Sequence, residues 1–140
     1  MSGAHILLIE DDEVLCDLVK RNLQIRGHNV NSARDVQTAL ELLRKETFDL
    51  ILLDINLPDK TGWDVLRIAQ NEGCLHSQQM DDGVRKLPVV ILSAVRVSPV
   101  RLAEFHPLAY LPKPFPMEAL LRLATEAAER RESSIQHIET

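Results

Sequence analysis

The sequence predicts an α/β domain, a parallel sheet with helices on both faces. Two observations carry this. Short apolar runs recur, and each stops at a polar residue. Ala4–Ile9 runs into Glu10, Leu50–Leu53 into Asp54, Val89–Leu92 into Ser93, and Tyr110-Leu111 leads through Pro112 to Lys113. Between these runs lie segments with apolar residues at helical spacing, and the alternation repeats about five times. Such runs read as buried strands whose carboxyl ends share one edge of a sheet. In open α/β sheets that edge is where ligands bind.

Ala4–Ile9 is the first strand, and Val14, Leu15, Leu18, Val19 and Leu23 mark the first helix, which Gly27 stops. His28–Ser32 is a weak, polar strand suited to a sheet edge. Val36, Ala39, Leu40 and Leu43 form the stripe of a second helix, and Phe48–Leu53 is the clearest strand. Pro58-Asp59-Lys60-Thr61-Gly62 has turn chemistry. Trp63, Leu66 and Ala69-Gln70 indicate a third helix, with Val65 and Ile68 beside the stripe. Residues 71–86 contain Gly73 and Gly83 among polar residues and read as a long loop. Val89–Leu92 is the fourth strand, and Pro99 suits the first turn of a short helix, Val100–Phe105. Leu108–Leu111 is the fifth strand. Met117–Ala128 is a fifth helix with Leu120, Leu121 and Ala124 on one face, and residues 129–140 extend it or fray.

The totals set the class. A chain of 140 residues fits one domain, and 45% hydrophobic with 26% charged residues favours a soluble globular protein. No apolar run is long enough to span a membrane. No basic stretch precedes the first apolar run, as a signal peptide requires. A net charge of −5 argues against direct nucleic-acid binding. Cys16 and Cys74 form no C-x-x-C motif and read as reduced thiols, so a cytoplasmic location is expected.

Glu10, Asp11 and Asp54 fall on neighbouring strand ends. Any one alone has an ordinary explanation, because Asp starts turns and caps helices. Asp12 fits that explanation as the N-cap of a helix beginning near Glu13. The set is different. Two unit charges about 4 Å apart repel by roughly 4 kcal/mol at an effective dielectric of 20. A fold that gathers three carboxylates needs a cation, and hard oxygen donors suit Mg2+. A phosphoryl group on Asp54 adds close to two negative charges. Lys113 and the ion would offset it, and Ser93 could donate to a phosphoryl oxygen. Taken singly, Ser93 reads as a strand-end cap and Lys113 as a solvated surface lysine.

At these residues the chain resembles the receiver domain of bacterial two-component response regulators. The matching strings are Ile6-Leu7-Leu8-Ile9-Glu10-Asp11-Asp12, residues 48–59 (FDLILLDINLPD) with Gly62, Ile91-Leu92-Ser93-Ala94, and Tyr110-Leu111-Pro112-Lys113-Pro114-Phe115. The resemblance covers roughly residues 4–128. It implies a (βα)5 doubly wound, flavodoxin-like three-layer sandwich with a five-stranded parallel sheet of order 2-1-3-4-5. The receiver domain would occupy residues 1–128, with residues 129–140 a helix extension or tail.

The resemblance also implies roles. Asp54 is the phosphoacceptor. Asp11 binds Mg2+ (or Mn2+) directly, Glu10 acts largely through a metal-bound water, and Asn56 gives its backbone carbonyl. Lys113 contacts the phosphoryl oxygens. Ser93 and Tyr110 are the switch pair: phosphorylation pulls Ser93 inward, and Tyr110 follows. The Lys113–Pro114 bond is implied to be cis. The implied donor is a histidine kinase or phosphotransfer protein, and a downstream protein partner would read the switch. The chain is then a signalling receiver rather than an enzyme, although it assists its own phosphorylation and dephosphorylation. A monomer or weak dimer is expected.

Some features depart from the receiver pattern. Residues 74–83 (CLHSQQMDDG) read as an insertion, in which Cys74, His76, Asp81 and Asp82 match no metal-site spacing and read as solvated. The fourth helix is short, between Pro99 and Pro107, and Phe105-His106-Pro107-Leu108-Ala109 replaces the usual turn before the fifth strand. His5, His28, His106 and His137 have no evident pairing and read as solvated or packing residues. Trp63 is either a fluorescence reporter of metal binding or a residue that packs the third helix on the sheet. The altered fourth helix keeps a second reading open, a receiver-fold interaction module that does not signal by phosphate. A phosphatase with an Asp-x-Asp nucleophile is disfavoured, because Asp54-Ile55-Asn56 lacks the second Asp. A flavodoxin-like cofactor carrier is disfavoured because Glu10-Asp11-Asp12 would repel a phosphate. Past about residue 128 no output domain is visible.

Overall fold

Successive strand residues point to opposite faces, so a strand that is apolar throughout needs a core on each side. The computed structural model of the chain, which describes residues 3–80 and 83–139, has both cores. The central sheet contains β1 (His5–Ile9), β2 (Asn29–Ala33), β3 (Leu50–Asp54), β6 (Val89–Ser93) and β7 (Ala109–Pro112). All its pairings are parallel, in the order β2-β1-β3-β6-β7, which is the 2-1-3-4-5 arrangement. Leu7, Ile9, Ile51, Leu53 and Ile91 face α2 (Val36–Lys45), α3 (Gly62–Asn71) and α4 (Pro99–Phe105). Ile6, Leu8, Leu50, Leu52, Val90 and Leu92 face α1 (Glu13–Ile25) and α5 (Met117–Glu139).

The helix boundaries follow their local chemistry. Asp12 caps α1, its carboxylate accepting from Val14 N–H at 3.0 Å and Leu15 N–H at 3.1 Å. Gly27 ends that helix at φ 88, a left-handed position that suits glycine. Pro99 starts α4 in the first turn, and His106 ends it at φ 49. Residues 129–139 continue α5, so the tail extends the helix. Arg131 in this extension donates to Gly3 O at 3.0 Å and lies 3.7 Å from Asp49, tying it to the amino end of the sheet. The Lys113–Pro114 bond is cis. Among the described residues no helix is long and apolar enough to cross a membrane.

Residues 71–86 are not one long loop. After α3 the chain forms β4 (His76–Met80) and β5 (Gly83–Lys86), which pair antiparallel as a separate two-stranded sheet. Helical or alternating apolar periodicity could not reveal them, because His76–Met80 is polar almost throughout and neither strand joins the main sheet. Asp81 and Asp82 lie outside the described residues. The histidines also need correction. His28 is buried and accepts Ala4 N–H on Nδ1 at 2.9 Å, with its pKa lowered by burial and then by Arg26. His5 pairs with Thr47 O at 2.8 Å and Asn31 at 3.0 Å. Both sit at the amino end of the sheet.

Candidate phosphoacceptor site

Strand register assembles the site. Ile9 pairs with Leu53, so Glu10 and Asp54 come next to each other at the carboxyl edge. Asp54 pairs with Leu92, and Ser93 with Pro112, which brings Ser93 and Lys113 to the same edge. Lys113 N–H donates to Ser93 O at 2.8 Å. Glu10 is 1% exposed, Asp54 4% and Ser93 1%, while Asp11 is half-buried. Oxygens of Glu10, Asp11 and Asp54 lie within 4.8 Å of one another, and this trio could hold a metal ion. Asp12 is engaged in capping, as its sequence position suggested.

Lys113 Nζ donates to Glu10 Oε1 at 2.7 Å and lies 3.5 Å from Asp54 Oδ2. The lysine is therefore paired first with Glu10. Burial pushes the Glu10 carboxyl up to about 7, helped by its hydrogen bond and repulsion with Asp54 and opposed by Lys113. Burial pulls Lys113 down, yet its bond to Glu10 and the charges of Glu10 and Asp54 carry it above the ordinary lysine value. Three carboxylates face one ammonium here, so the ionised cluster is short of positive charge. A hard divalent cation fits that donor set.

The loop after β3 is built around Asp54. Asn56 N–H donates to Asp54 Oδ1 at 3.1 Å, which brings Asn56 to the site through its backbone while its side chain is exposed. Gly62 N–H donates to Ile55 O at 2.7 Å. A Cβ on Gly62 would sit 2.5 Å from Asp54 O, so only glycine lets α3 start this close to β3.

Ser93 and Tyr110 meet through a residue the sequence did not single out. Ser93 Oγ donates to Val95 O at 2.8 Å and accepts Val95 N–H at 3.1 Å. Tyr110 OH donates to the same Val95 O at 3.3 Å. Trp63 stacks on Phe105 of α4, with ring centroids 5.5 Å apart and planes 15° from parallel. Sequence reading also missed a groove of about 520 Å3 beside Lys113, lined in part by Val14, Leu18, Phe115 and Met117. Val14 is 80% and Leu18 51% exposed. Leu18 belonged to the predicted helix stripe, and only the fold shows that it faces outward. Larger cavities, of about 580 and 640 Å3, open around His5 at the far end of the sheet and contain none of these acids.

Comparison with known proteins agrees with this geometry. Residues 6–125 match the family model for the response regulator receiver domain. The response regulator MprA of Mycolicibacterium vanbaalenii is 33% identical over 119 residues, covering 84% of this chain and 47% of the relative. The chain thus spans about half the length of the curated relatives it matches. A CheY-like receiver domain protein from Methanospirillum hungatei superposes with a TM-score of 0.77 at 25% identity, covering 94% of this chain and 98% of that one. The non-phosphorylated HemR receiver domain of Leptospira biflexa gives 0.70 at 31% identity, covering 89% and 93%. Fold, strand-end residues and family match therefore agree that the chain belongs to the response regulator receiver domain family, the signalling module of two-component systems.

Proposed function

We propose that Asp54 accepts a phosphoryl group from the phosphohistidine of a histidine kinase or phosphotransfer protein, and that the modification resets a partner-binding surface. The single observation that carries this reading is the buried Asp54 carboxylate with Glu10, Asp11 and Lys113 gathered around it. Asp11, Glu10, Asp54 and the Asn56 carbonyl would hold Mg2+ or Mn2+. When bound, the ion supplies positive charge for the phosphoryl oxygens as they transfer.

An Asp54 oxygen attacks phosphorus as the bond from phosphorus to the donor imidazole breaks, and the electron pair leaves with the imidazole nitrogen. Little covalent chemistry is asked of the protein beyond positioning and charge. Asn56 N–H holds Asp54 Oδ1 and leaves Oδ2 toward Lys113. Lys113 exchanges Glu10 for a phosphoryl oxygen. Ser93 turns its hydroxyl from Val95 O to another phosphoryl oxygen. Val95 O then loses one donor, and Tyr110 moves inward with the segment. This is a population shift driven by contacts only the phosphorylated form makes. Water later cleaves the acyl phosphate.

The apolar groove beside Lys113 supports a docking role for α1 and the start of α5, because exposed Val14 and Leu18 there suit a helical partner. Treatment with acetyl phosphate and Mg2+ tests the reading: wild type should gain the mass of one phosphoryl group, and Asp54→Asn should gain none. An unmodified wild type would sink it. If Asp54→Asn kept all partner binding, the phosphate-independent interaction module would be favoured instead.

A further inference from the structure

The loop between β3 and α3, residues 55–61, is tied down at its base. Gly62 N–H donates to Ile55 O, Asn56 and Thr61 form an antiparallel bridge, and Thr61 and Asp64 make a capping box. Its tip buries little: Pro58, Asp59 and Lys60 are exposed. A segment with so little burial should open easily unless polar contacts hold it.

Asp59 provides that hold by reaching a partner outside the loop. Both its carboxylate oxygens accept from Val36 N–H, the first residue of α2, at 3.1 and 3.2 Å. Its Oδ1 also accepts Lys60 N–H at 2.9 Å. Helix α2 already has a cap of its own, since Asp35 accepts Thr38 N–H at 2.8 Å. Asp59 thus takes a different donor of the first turn, one that a local cap leaves unpaired. The Val36 bond holds the Asp59 carboxyl below its usual range.

Asn56 belongs to that base, and its N–H holds Asp54 Oδ1. We propose that Asp59 is a positioning residue for the phosphoacceptor site. By gripping the first turn of α2 it fixes the loop, and through the loop it fixes the Asn56 backbone against Asp54 and the divalent-ion site. The inference rests on the metal-dependent reading above and assigns a role to a residue that touches neither ion nor phosphate.

Calorimetric titration of Mg2+ into metal-free wild type, Asp59→Ala, Asp59→Asn and Asp35→Ala tests it, with amide hydrogen exchange on the same proteins. Asp59→Ala should weaken Mg2+ binding about 10-fold, as loss of outer-shell support does, and speed exchange at the Asn56 amide. Asp59→Asn should retain wild-type values, because its side-chain oxygen still accepts Val36 N–H. Asp35→Ala should lower thermal stability and leave Mg2+ affinity unchanged. Equal Mg2+ affinity in wild type and Asp59→Ala would overturn the proposal. Equal weakening in Asp35→Ala would also overturn it, by reducing Asp59 to a helix cap. If wild type bound no Mg2+, the metal reading would fall, and the Asn56 exchange rate would still decide the positioning role.

Discussion

Ser93 and Tyr110 share one acceptor, the carbonyl oxygen of Val95, with donor distances of 2.8 and 3.3 Å. The buried serine and the half-buried tyrosine are linked through this oxygen. Removing the serine hydroxyl should cut the coupling and spare the chemistry. Ser93→Ala should still take up phosphate on Asp54, at a cost to stability of about 1 kcal/mol for the lost hydrogen bonds. Its Tyr110 NMR signals should then stay at their unphosphorylated positions when beryllofluoride and Mg2+ are added. Wild-type-like Tyr110 shifts in the variant would show that Val95 does not carry the signal.

Lys113 bonds Glu10 at 2.7 Å and only approaches Asp54 at 3.5 Å, so it would compete with a divalent ion for Glu10. The Lys113 side chain is 19% exposed, which tempers the cost of leaving its carboxylates unpaired. Lys113→Met should lose about 2 kcal/mol of metal-free stability. It should bind Mg2+ more tightly, since the competing cation is gone, yet phosphorylate more slowly. Calorimetry and a phosphorylation time course measure the two opposed effects. Weaker Mg2+ binding would show that Lys113 helps to build the ion site.

Glu10 sets a pH dependence. Its pKa rises from the ordinary 4.5 to about 7 through burial first and Asp54 second. The folded chain then holds this proton more tightly than the unfolded chain does. The stability this contributes is full below about pH 4.5 and is lost as pH rises through about 7. The urea midpoint of metal-free protein should therefore fall across that window, and Glu10→Gln should flatten the fall. Saturating Mg2+ should oppose it, since bound metal favours the ionised carboxylate. A midpoint that rose over the same window in metal-free protein would contradict the assignment.

Trp63 links α3 to α4 by stacking on Phe105. Phosphorylation that shifts α4 should change Trp63 emission. Phe105→Leu should remove most of that change while leaving the uptake of phosphate intact. An unaltered emission response in the variant would mean that Trp63 senses the acid site directly.

Much of this was legible in the sequence because the sheet is buried on both faces. The apolar runs within Phe48–Leu53 and Val89–Leu92 read as strands, which the structure places at Leu50–Asp54 and Val89–Ser93, with Asp54 and Ser93 at one edge. Asp12 was readable as a cap from its place before Glu13. The β4–β5 pair was not readable, because His76–Met80 is polar almost throughout and offers no apolar period. Val95 was hidden because its contribution is a backbone carbonyl, which no residue type announces. Asp59 looked like ordinary turn chemistry until Val36 N–H appeared beside it. The outward face of Leu18 was concealed within a helical stripe that the fold uses only in part.

The central claim is that Asp54, among all the chain's carboxylates, takes the phosphoryl group. Borohydride reduction of the phosphorylated protein converts an aspartyl phosphate to homoserine, and peptide mass spectrometry then locates it. The prediction is homoserine at position 54 alone, formed only when both the phosphodonor and Mg2+ were present. Homoserine at another aspartate, or its formation without a divalent ion, would contradict the account.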